Sequence, residues 1–533
     1  KIFSAIKSLK NIKKIDLTDM QIQGGNVLAE MLLSLLSLEE LVLARINVVD
    51  SEYNAIFSAI KSLKKLRKLD LAGTNIDDGN ACAEMLSSLS SLKELVLFNI
   101  NPISGMTAQR IFDEIKVLKT LKKLTLHIAK VIDDSDWAKA FLDMLSSLRF
   151  LEDIVLPGVH LQGDATTEFF SAITSLKYLK SLDIVNIAID KCVMKKLACT
   201  LPSLQLLEKL RFSSPWTDCD GCGYGDHQSE FFRALVNLRY LQELDLEDNL
   251  IMQTGVEALT EVLPSLHSLE KLSLGIAEFD DECERQLFAA IRNLGWLKEL
   301  NLFLEFDTPL FTGTLAEALT SLQLLEKLTF EGEFDDSENE KLFIAALPSL
   351  KYLKKLCLRM ELVNQIELES LAEVLPSLQL LESLVLRGCI FHNVESQKQV
   401  FVALRSLKCL KELKLDCDIN KDSVETLAEL LLSLQLLEKL QLRRLNLSNN
   451  CDQRLFTAVQ SLSYLKELDL LSTEVSPAGA RNLTAVLPSL RNLTEIVLPG
   501  IEHDENEEMR KILAEEASRI PRLKVYPILT VRQ

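Results

Sequence analysis

Cys219, Cys222 and His227 fall close together in the segment Ser213-Ser-Pro-Trp-Thr-Asp-Cys-Asp-Gly-Cys-Gly-Tyr-Gly-Asp-His-Gln-Ser-Glu230. Thiolates and an imidazole are zinc ligands, and Asp218 or Asp226 would supply a fourth. A structural zinc site normally carries a full ligand set at familiar spacing, which this segment lacks, so no metal and no cofactor is expected. The other histidines, His127, His160, His267, His392 and His503, are dispersed along the chain. No His-Glu-x-x-His, phosphate-cradling glycine-rich loop or Gly-x-Ser-x-Gly is present, so the signatures of metalloprotease, nucleotide and acyl-transfer chemistry are missing. No enzyme activity is expected.

The chemistry that remains is recognition. Arg359, Arg387, Lys414, Arg443 and Arg444 recur beside the leucines of successive strand-like segments. With adjacent strands about 4.8 Å apart, these cations share one surface within roughly 15 to 20 Å. Such a patch suits an acidic partner or a phosphate-bearing ligand. The alternative is that Asp416, Glu361 and their neighbours neutralise it. Phe303 is the aromatic expected on the same exposed strand face. Trp216 and Tyr224 sit in the Gly- and Asp-rich insertion, which reads either as a partner-contacting loop or as a neutral one. Phe279, Phe306 and Phe334 recur just past three consecutive strands, each beside carboxylates, and are expected to face the core while the Asp residues cap the next helix.

These residues must be positioned by a repeat. Leu-x-x-Leu-x-Leu, or a close variant, begins at eighteen places from Ile12 to Leu493, mostly 28 residues apart, with one interval of 34 at the insertion. Between copies lies an amphipathic pattern, as in Leu371-Ala-Glu-Val-Leu-Pro-Ser-Leu-Gln-Leu-Leu, with apolar residues at threes and fours. Each unit is therefore strand, loop, helix, loop. No unit buries its apolar face alone, but each covers the last. The fold class is α/β: a leucine-rich-repeat solenoid of about eighteen strand–helix repeats, with wide helices outside and a narrow parallel sheet inside, which bends the stack into a horseshoe. A second period of about 56 residues makes Asp16, Asp70, Asp183, Asp245 and Asp469 alternate with Val42, Val96, Val155, Val385 and Val497. That alternation reads as a property of the repeat rather than as a recognition code.

Composition narrows the function classes. Hydrophobic residues make up 47% of the 533 and aromatics 6%, so the core is aliphatic and disorder is excluded. With 59 Lys and Arg against 77 Asp and Glu the net charge is −18. That repels nucleic-acid phosphates and anionic lipid unless a local basic patch overrides it. No apolar run long enough to span a bilayer and no targeting segment is visible. The 11 cysteines are scattered without paired caps, which fits a reducing cytoplasm. Sequons at Asn446, Asn482 and Asn492 are near the number chance gives.

On these motifs the whole chain resembles the ribonuclease-inhibitor-like repeats of animal NOD-like receptors, of the NAIP-like or expanded invertebrate branch. Ser476-Pro-Ala-Gly-Ala-Arg-Asn-Leu-Thr-Ala-Val-Leu-Pro-Ser-Leu-Arg-Asn-Leu carries the resemblance most clearly. One repeat domain over residues 1–533 is expected, with the insertion at 213–230 and a cap at 504–533 built on a polar helix, Glu505 to Ile520. The chain opens inside a repeat helix, so it reads as truncated from a longer chain, and the resemblance implies a nucleotide-binding NACHT module upstream. It further implies a sensor or autoinhibitory region whose concave face meets a protein partner or a microbial or host ligand. The alternatives are a free-standing inhibitor or scaffold wrapping a protein, and an extracellular recognition receptor. The family's Asn or Cys three residues after the last strand leucine is met by Asn249 and Cys389, while Met20, Ile46, Ile100, Val159 and Ile187 depart from it, so the loop backbone there must be satisfied by other groups.

Overall fold

Strand positions and leucines coincide throughout. In the computed structural model Leu353, Leu356 and Leu358 are buried, and the residues that alternate with the last two, Lys355, Cys357 and Arg359, form the strand positions that face away from the core. The structure describes residues 2–48, 52–74, 76, 79–98, 105–127, 131–132, 136–158, 160–161, 164–185, 191–213, 225–277, 279–305, 310, 313–334, 336–359, 368–388, 394–447, 451–498, 500–501, 515, 517, 519–520 and 523–526. It divides into two compact units, Lys1–Leu269 and Glu270–Gln533.

In the first unit the sheet runs in chain order through Lys14–Asp16, Glu40–Val42, Lys68–Leu71, Glu94–Leu97, Lys123–Leu126, Asp153–Val155, Ser181–Ile184, Lys209–Phe212 and Glu243–Ile251. Every described pairing is parallel, and each repeat meets its neighbour at the same position: Lys14 opposite Glu40, Glu40 opposite Lys68, Ser181 opposite Lys209. In the second unit the same holds from Lys271–Ile276 through Glu299–Leu304, Lys327–Glu331, Lys355–Arg359, Ser383–Arg387, Glu412–Ile419, Lys439–Leu447, Glu467–Asp469 and Glu495–Val497. A further strand, Lys524–Tyr526, continues the sheet beside Glu495–Val497. The expected cap thus contributes a strand, while most of the helix expected over Glu505–Ile520 lies outside the described residues. The fold is a leucine-rich-repeat solenoid.

The helices form and end for local reasons. In Val424–Ser433 the buried set Val424, Leu427, Ala428, Leu430 and Leu431 is one helical face turned to the sheet. Several helices stop at Leu-Pro-Ser, where the proline lacks the N–H to continue the ladder and the backbone tightens into a single 3-10 turn. The serine there donates its hydroxyl to the helix it ends: Ser265 to Val262 O at 2.7 Å, Ser349 to Ala346 O at 2.6 Å. Helix starts are capped as expected in two places, Asp280 accepting from Cys283 N and Asp336 from Asn339 N, each at 2.8 Å. Phe279 and Phe334 are buried, the latter against Phe330 and Phe343; Phe306 lies outside the described residues.

Two devices complete the loops. Two residues past the last strand leucine the backbone is left-handed, at Gly73, Gly158 and Gly388 but also at Asp19, Arg45, Arg444 and Ser472. One residue later stands the family's Asn position. Asn249 donates Nδ2 to Phe212 O of the preceding repeat, and Thr74 and Thr473 do the same work with their hydroxyls, to Leu43 O at 2.8 Å and Leu442 O at 2.7 Å. Successive repeats are also joined by buried polar side chains. Gln228 accepts from Met252 N, Gln397 from Asn420 N, both at 2.9 Å, and Asp452 from the Ser476 hydroxyl at 2.7 Å.

Candidate binding face

The solvent side of each sheet is a grid whose rows cross the strands. The outermost row carries the residue after the first leucine and is an alternation of signs in the second unit: Lys298 with Glu270, Lys354 with Glu326, Lys411 with Glu382 and Lys466 with Glu438, at 2.6 to 2.9 Å. The next row repeats it half out of phase, with Lys271 to Glu299 at 3.0 Å and Lys439 to Glu467 at 2.7 Å. The 56-residue period is thus electrostatic. In the outer row of the second unit repeats of opposite sign alternate, so each rung faces its complement; the next row departs from this where Lys327 stands opposite Lys355 and Glu467 opposite Glu495.

The Asp/Val alternation obeys the same rule, since Val42 separates Asp16 from Asp70 in register. These aspartates also have a local task. Asp16, Asp70, Asp245 and Asp469 each accept a hydrogen bond from the backbone N–H two residues on, at 2.9 to 3.2 Å, and so turn the chain off the strand. Asp183 is the exception: one of its carboxylate oxygens is buried with no hydrogen-bond partner among the described residues. Burial pushes its carboxyl up to about 6, opposed by Arg211 on the next strand and reinforced by Asp245, Asp153 and Glu243. Burial likewise raises Asp245, which pairs with Arg211 Nε at 3.2 Å.

The predicted basic residues all lie on the second unit's sheet, in two rows. Arg359 stands opposite Arg387, Arg387 opposite Asp416 and Asp416 opposite Arg443. Lys414 occupies the neighbouring row, between Val385 and Gln441. Consecutive residues on a strand point to opposite faces, yet Arg443 and Arg444 reach the same carboxylate. Arg444 takes the left-handed conformation, φ 55°, so that its Nε lies 3.2 Å from Asp416 Oδ1 while Arg443 lies 3.8 Å from Oδ2. Acids are interleaved with the patch. Arg359 pairs with Glu331 at 3.0 Å, Arg443 with Asp469 at 2.8 Å and Lys414 with Glu412 at 2.8 Å. Arg359 beside Arg387 is an in-register pair of like charges, as are Lys327 beside Lys355 and Glu467 beside Glu495.

Phe303 is half-buried, two strands from Arg359 in the same row. Trp216 and Tyr224, with Cys219, Cys222 and the side chain of His227, lie outside the described residues. Among the described residues no group of three His, Cys, Asp or Glu side chains is placed to hold a metal ion, and no helix is long and apolar enough to cross a membrane. Sequence reasoning named Asp183 only as one of a repeating series and missed Thr74, Thr473 and the Gln228, Gln397 and Asp452 links. Only the threonines carried a signal, their offset from the strand.

No family model matches the chain. Baculoviral IAP repeat-containing protein 1g of Mus musculus is 26% identical over 294 residues, 53% of this chain and 20% of that protein. NLR family CARD domain-containing protein 4 of Xenopus tropicalis is 27% identical over 308 residues, 55% of this chain and 27% of that protein. The match therefore spans only about a fifth to a quarter of these relatives' length. Among solved structures, an internalin from Listeria monocytogenes aligns with 78% of this chain and 88% of its own at 15% identity and a TM-score of 0.37. A TLR13–ssRNA13 complex aligns with 93% of this chain and 65% of its own at 16% identity and a TM-score of 0.39. The chain is a leucine-rich-repeat solenoid with weak homology to proteins of the NOD-like receptor class.

Proposed function

We propose that this chain is the ligand-sensing and autoinhibitory repeat region of a cytoplasmic NOD-like innate immune receptor, with a nucleotide-binding module upstream in cis. The observation that carries the reading is its similarity, over about half its length, to baculoviral IAP repeat-containing proteins and to an NLR family CARD domain-containing protein. The recognition surface in this reading is the exposed sheet face of the second unit, centred on Arg359, Arg387, Lys414, Arg443 and Arg444 and bordered by Phe303. Support comes from Arg359 and Arg387, which stand side by side. Directly opposed like charges destabilise a sheet, and an anionic ligand bridging the two guanidiniums would add to the compensation that Glu331 gives Arg359. Arg443 and Arg444 are held between carboxylates, and there a ligand must exchange for an existing ion pair.

Two experiments test this. The full reading frame should contain Gly-x-x-x-x-Gly-Lys-Ser/Thr upstream of Lys1; an open frame without it overturns the receptor reading. For the site, Arg359→Gln with Arg387→Gln removes the in-register pair at the expense of the Arg359–Glu331 ion pair, whereas reversal of Arg443 would disturb both Asp416 and Asp469. Ligand captured from microbial extract by the wild type, weakened by salt, should be lost in this variant. Undiminished capture removes the patch from the site.

The acidic face of the first unit favours a second reading, a scaffold that wraps a basic protein. Burial raises the carboxyls of Asp183 and Asp245 above the usual range, and a partner's Lys or Arg would add to the compensation Arg211 provides. Capture of a basic protein that is lost in Asp183→Asn with Asp245→Asn would select it.

A further inference from the structure

The edge of each sheet where a helix returns to the next strand carries a pattern that neither reading uses. In the five residues ahead of each of the eighteen repeat starts there is no Asp or Glu, against fifteen Lys and Arg, although acids outnumber bases in the chain as a whole. The residue immediately before the first strand leucine is apolar in run after run. In the first unit these are Phe150, Tyr178, Leu206 and Tyr240, in consecutive repeats and 40 to 58% exposed. In the second unit Leu324, Tyr352, Leu380, Leu436 and Tyr464 are 46 to 54% exposed. The side chains form a row along the edge: the rings of Phe150 and Tyr178 stack at 5.8 Å between centroids, close to the strand spacing.

The helix dipole accounts for part of this. Each turn lies at a helix C-terminus, where cations are favoured and carboxylates are not. It does not account for the large apolar side chains left in water, of which Phe150, Tyr178, Tyr240 and Tyr352 adjoin a cation. Some of these cations are used internally: Lys7 pairs with Glu30, Lys61 with Glu84, Lys116 with Asp143, Arg292 with Glu317 and Arg405 with Glu429. Arg149, Lys177 and Arg239, each adjoining a rung of the first unit's row, are exposed and make no ion pair among the described residues, whereas Arg211, Arg359, Arg443 and Arg444 on the sheet face are all held by acids.

We infer that this edge is a peripheral docking surface for an anionic membrane. Phe, Tyr and Leu suit the boundary between headgroups and acyl chains, and Lys and Arg suit anionic headgroups. A protein partner would demand complementarity over a few repeats. Exclusion of carboxylates from every turn, in both units, is what an extended negative surface without register demands. The net charge of −18 repels the rest of the molecule from the same lipid, so contact is reversible and made edge-on.

The test uses the intact protein and sedimentation with vesicles of phosphatidylcholine alone or with added phosphatidylserine. Two variants address the first unit's edge: Arg149→Gln/Lys177→Gln/Arg239→Gln, and Phe150→Ser/Tyr178→Ser/Leu206→Ser/Tyr240→Ser. Circular dichroism reports their folding, and the first variant, which removes only exposed unpaired charge, decides the matter if the second does not fold. Lys195→Gln/Arg481→Gln, exposed on helices away from this edge, serves as the control for basic charge elsewhere. The wild type and the control should sediment with phosphatidylserine vesicles and not with phosphatidylcholine alone. Each folded edge variant should lose at least about tenfold in partitioning. Failure to sediment with phosphatidylserine, or edge variants indistinguishable from wild type, overturns the proposal. Binding to polyglutamate without binding to vesicles overturns it in favour of an acidic protein partner.

Discussion

Asp183 offers a quantitative check on the electrostatics of the sheet face. Its carboxyl is raised by burial from 3.8 to about 6, so the folded state favours the protonated form more than the unfolded chain does. For a group raised on folding, the stabilising contribution is full below the unfolded value of 3.8, declines as pH rises through the interval to about 6, and is gone above it. The shift is about 2 units, or roughly 3 kcal/mol at about 1.36 kcal/mol per unit. The side chain is partly exposed, and solvent screening reduces the penalty of the ionised form to about 1–2 kcal/mol. Asp183→Asn keeps the shape and cannot ionise. Flanked by Val155 and Arg211 in register, the amide should fit the same space. Hydrogen exchange of the strand Ser181–Ile184, read peptide by peptide, reports local stability without assuming that the whole chain unfolds in one step. At about pH 7.5 the variant should be more protected than wild type by about 1–2 kcal/mol, and at about pH 4 the difference should vanish. Equal gaps at the two pH values would mean that the amide acts through packing alone, and lower protection of the variant at the higher pH would refute the assignment of an uncompensated carboxylate.

Two further substitutions test the loops. Thr473→Val removes the hydroxyl that Leu442 O accepts at 2.7 Å in a fully buried site and should cost about 1–2 kcal/mol by hydrogen exchange of the flanking strands, with Thr473→Asn recovering most of it. Gly479→Ala would set a methyl 2.1 Å from Asp452 Oδ2, a carboxylate buried against the Ser476 hydroxyl; a loss of about 2–4 kcal/mol is expected from the same measurement, and tolerance would show that this link between repeats is dispensable.

The repeat was legible because its signal is redundant. Every strand announces itself with leucines at fixed offsets, and Leu-Pro-Ser marks helix ends with a residue that cannot continue a helix. The caps by Asp280 and Asp336 were legible for the same reason, being short-range and single-purpose. The cations of the candidate face were placed on the right surface by period alone. Their pairing was not visible, because which acid meets Arg443 depends on neighbouring strands and on the left-handed turn at Arg444, where no glycine advertises it. Asp183 looked like its siblings. It differs only in lacking the turn bond that Asp16 and Asp245 make, a difference in backbone geometry invisible at the level of residue type. Thr74 and Thr473 were overlooked because a consensus letter was sought where a donor of the right reach was what the loop required.

The alternating Lys and Glu rungs carry a consequence for how such a chain can lengthen or shorten. Loss or duplication of one repeat would bring Lys354 against Lys411, or one glutamate against another, and every rung beyond would remain in order only after that single clash. Loss or duplication of two repeats preserves every junction of that row in the second unit. In the second unit the electrostatic module is therefore the pair, and related chains should differ there by even numbers of repeats; in the first unit Arg67, Lys93 and Lys122 occupy successive positions of the row and the rule does not hold.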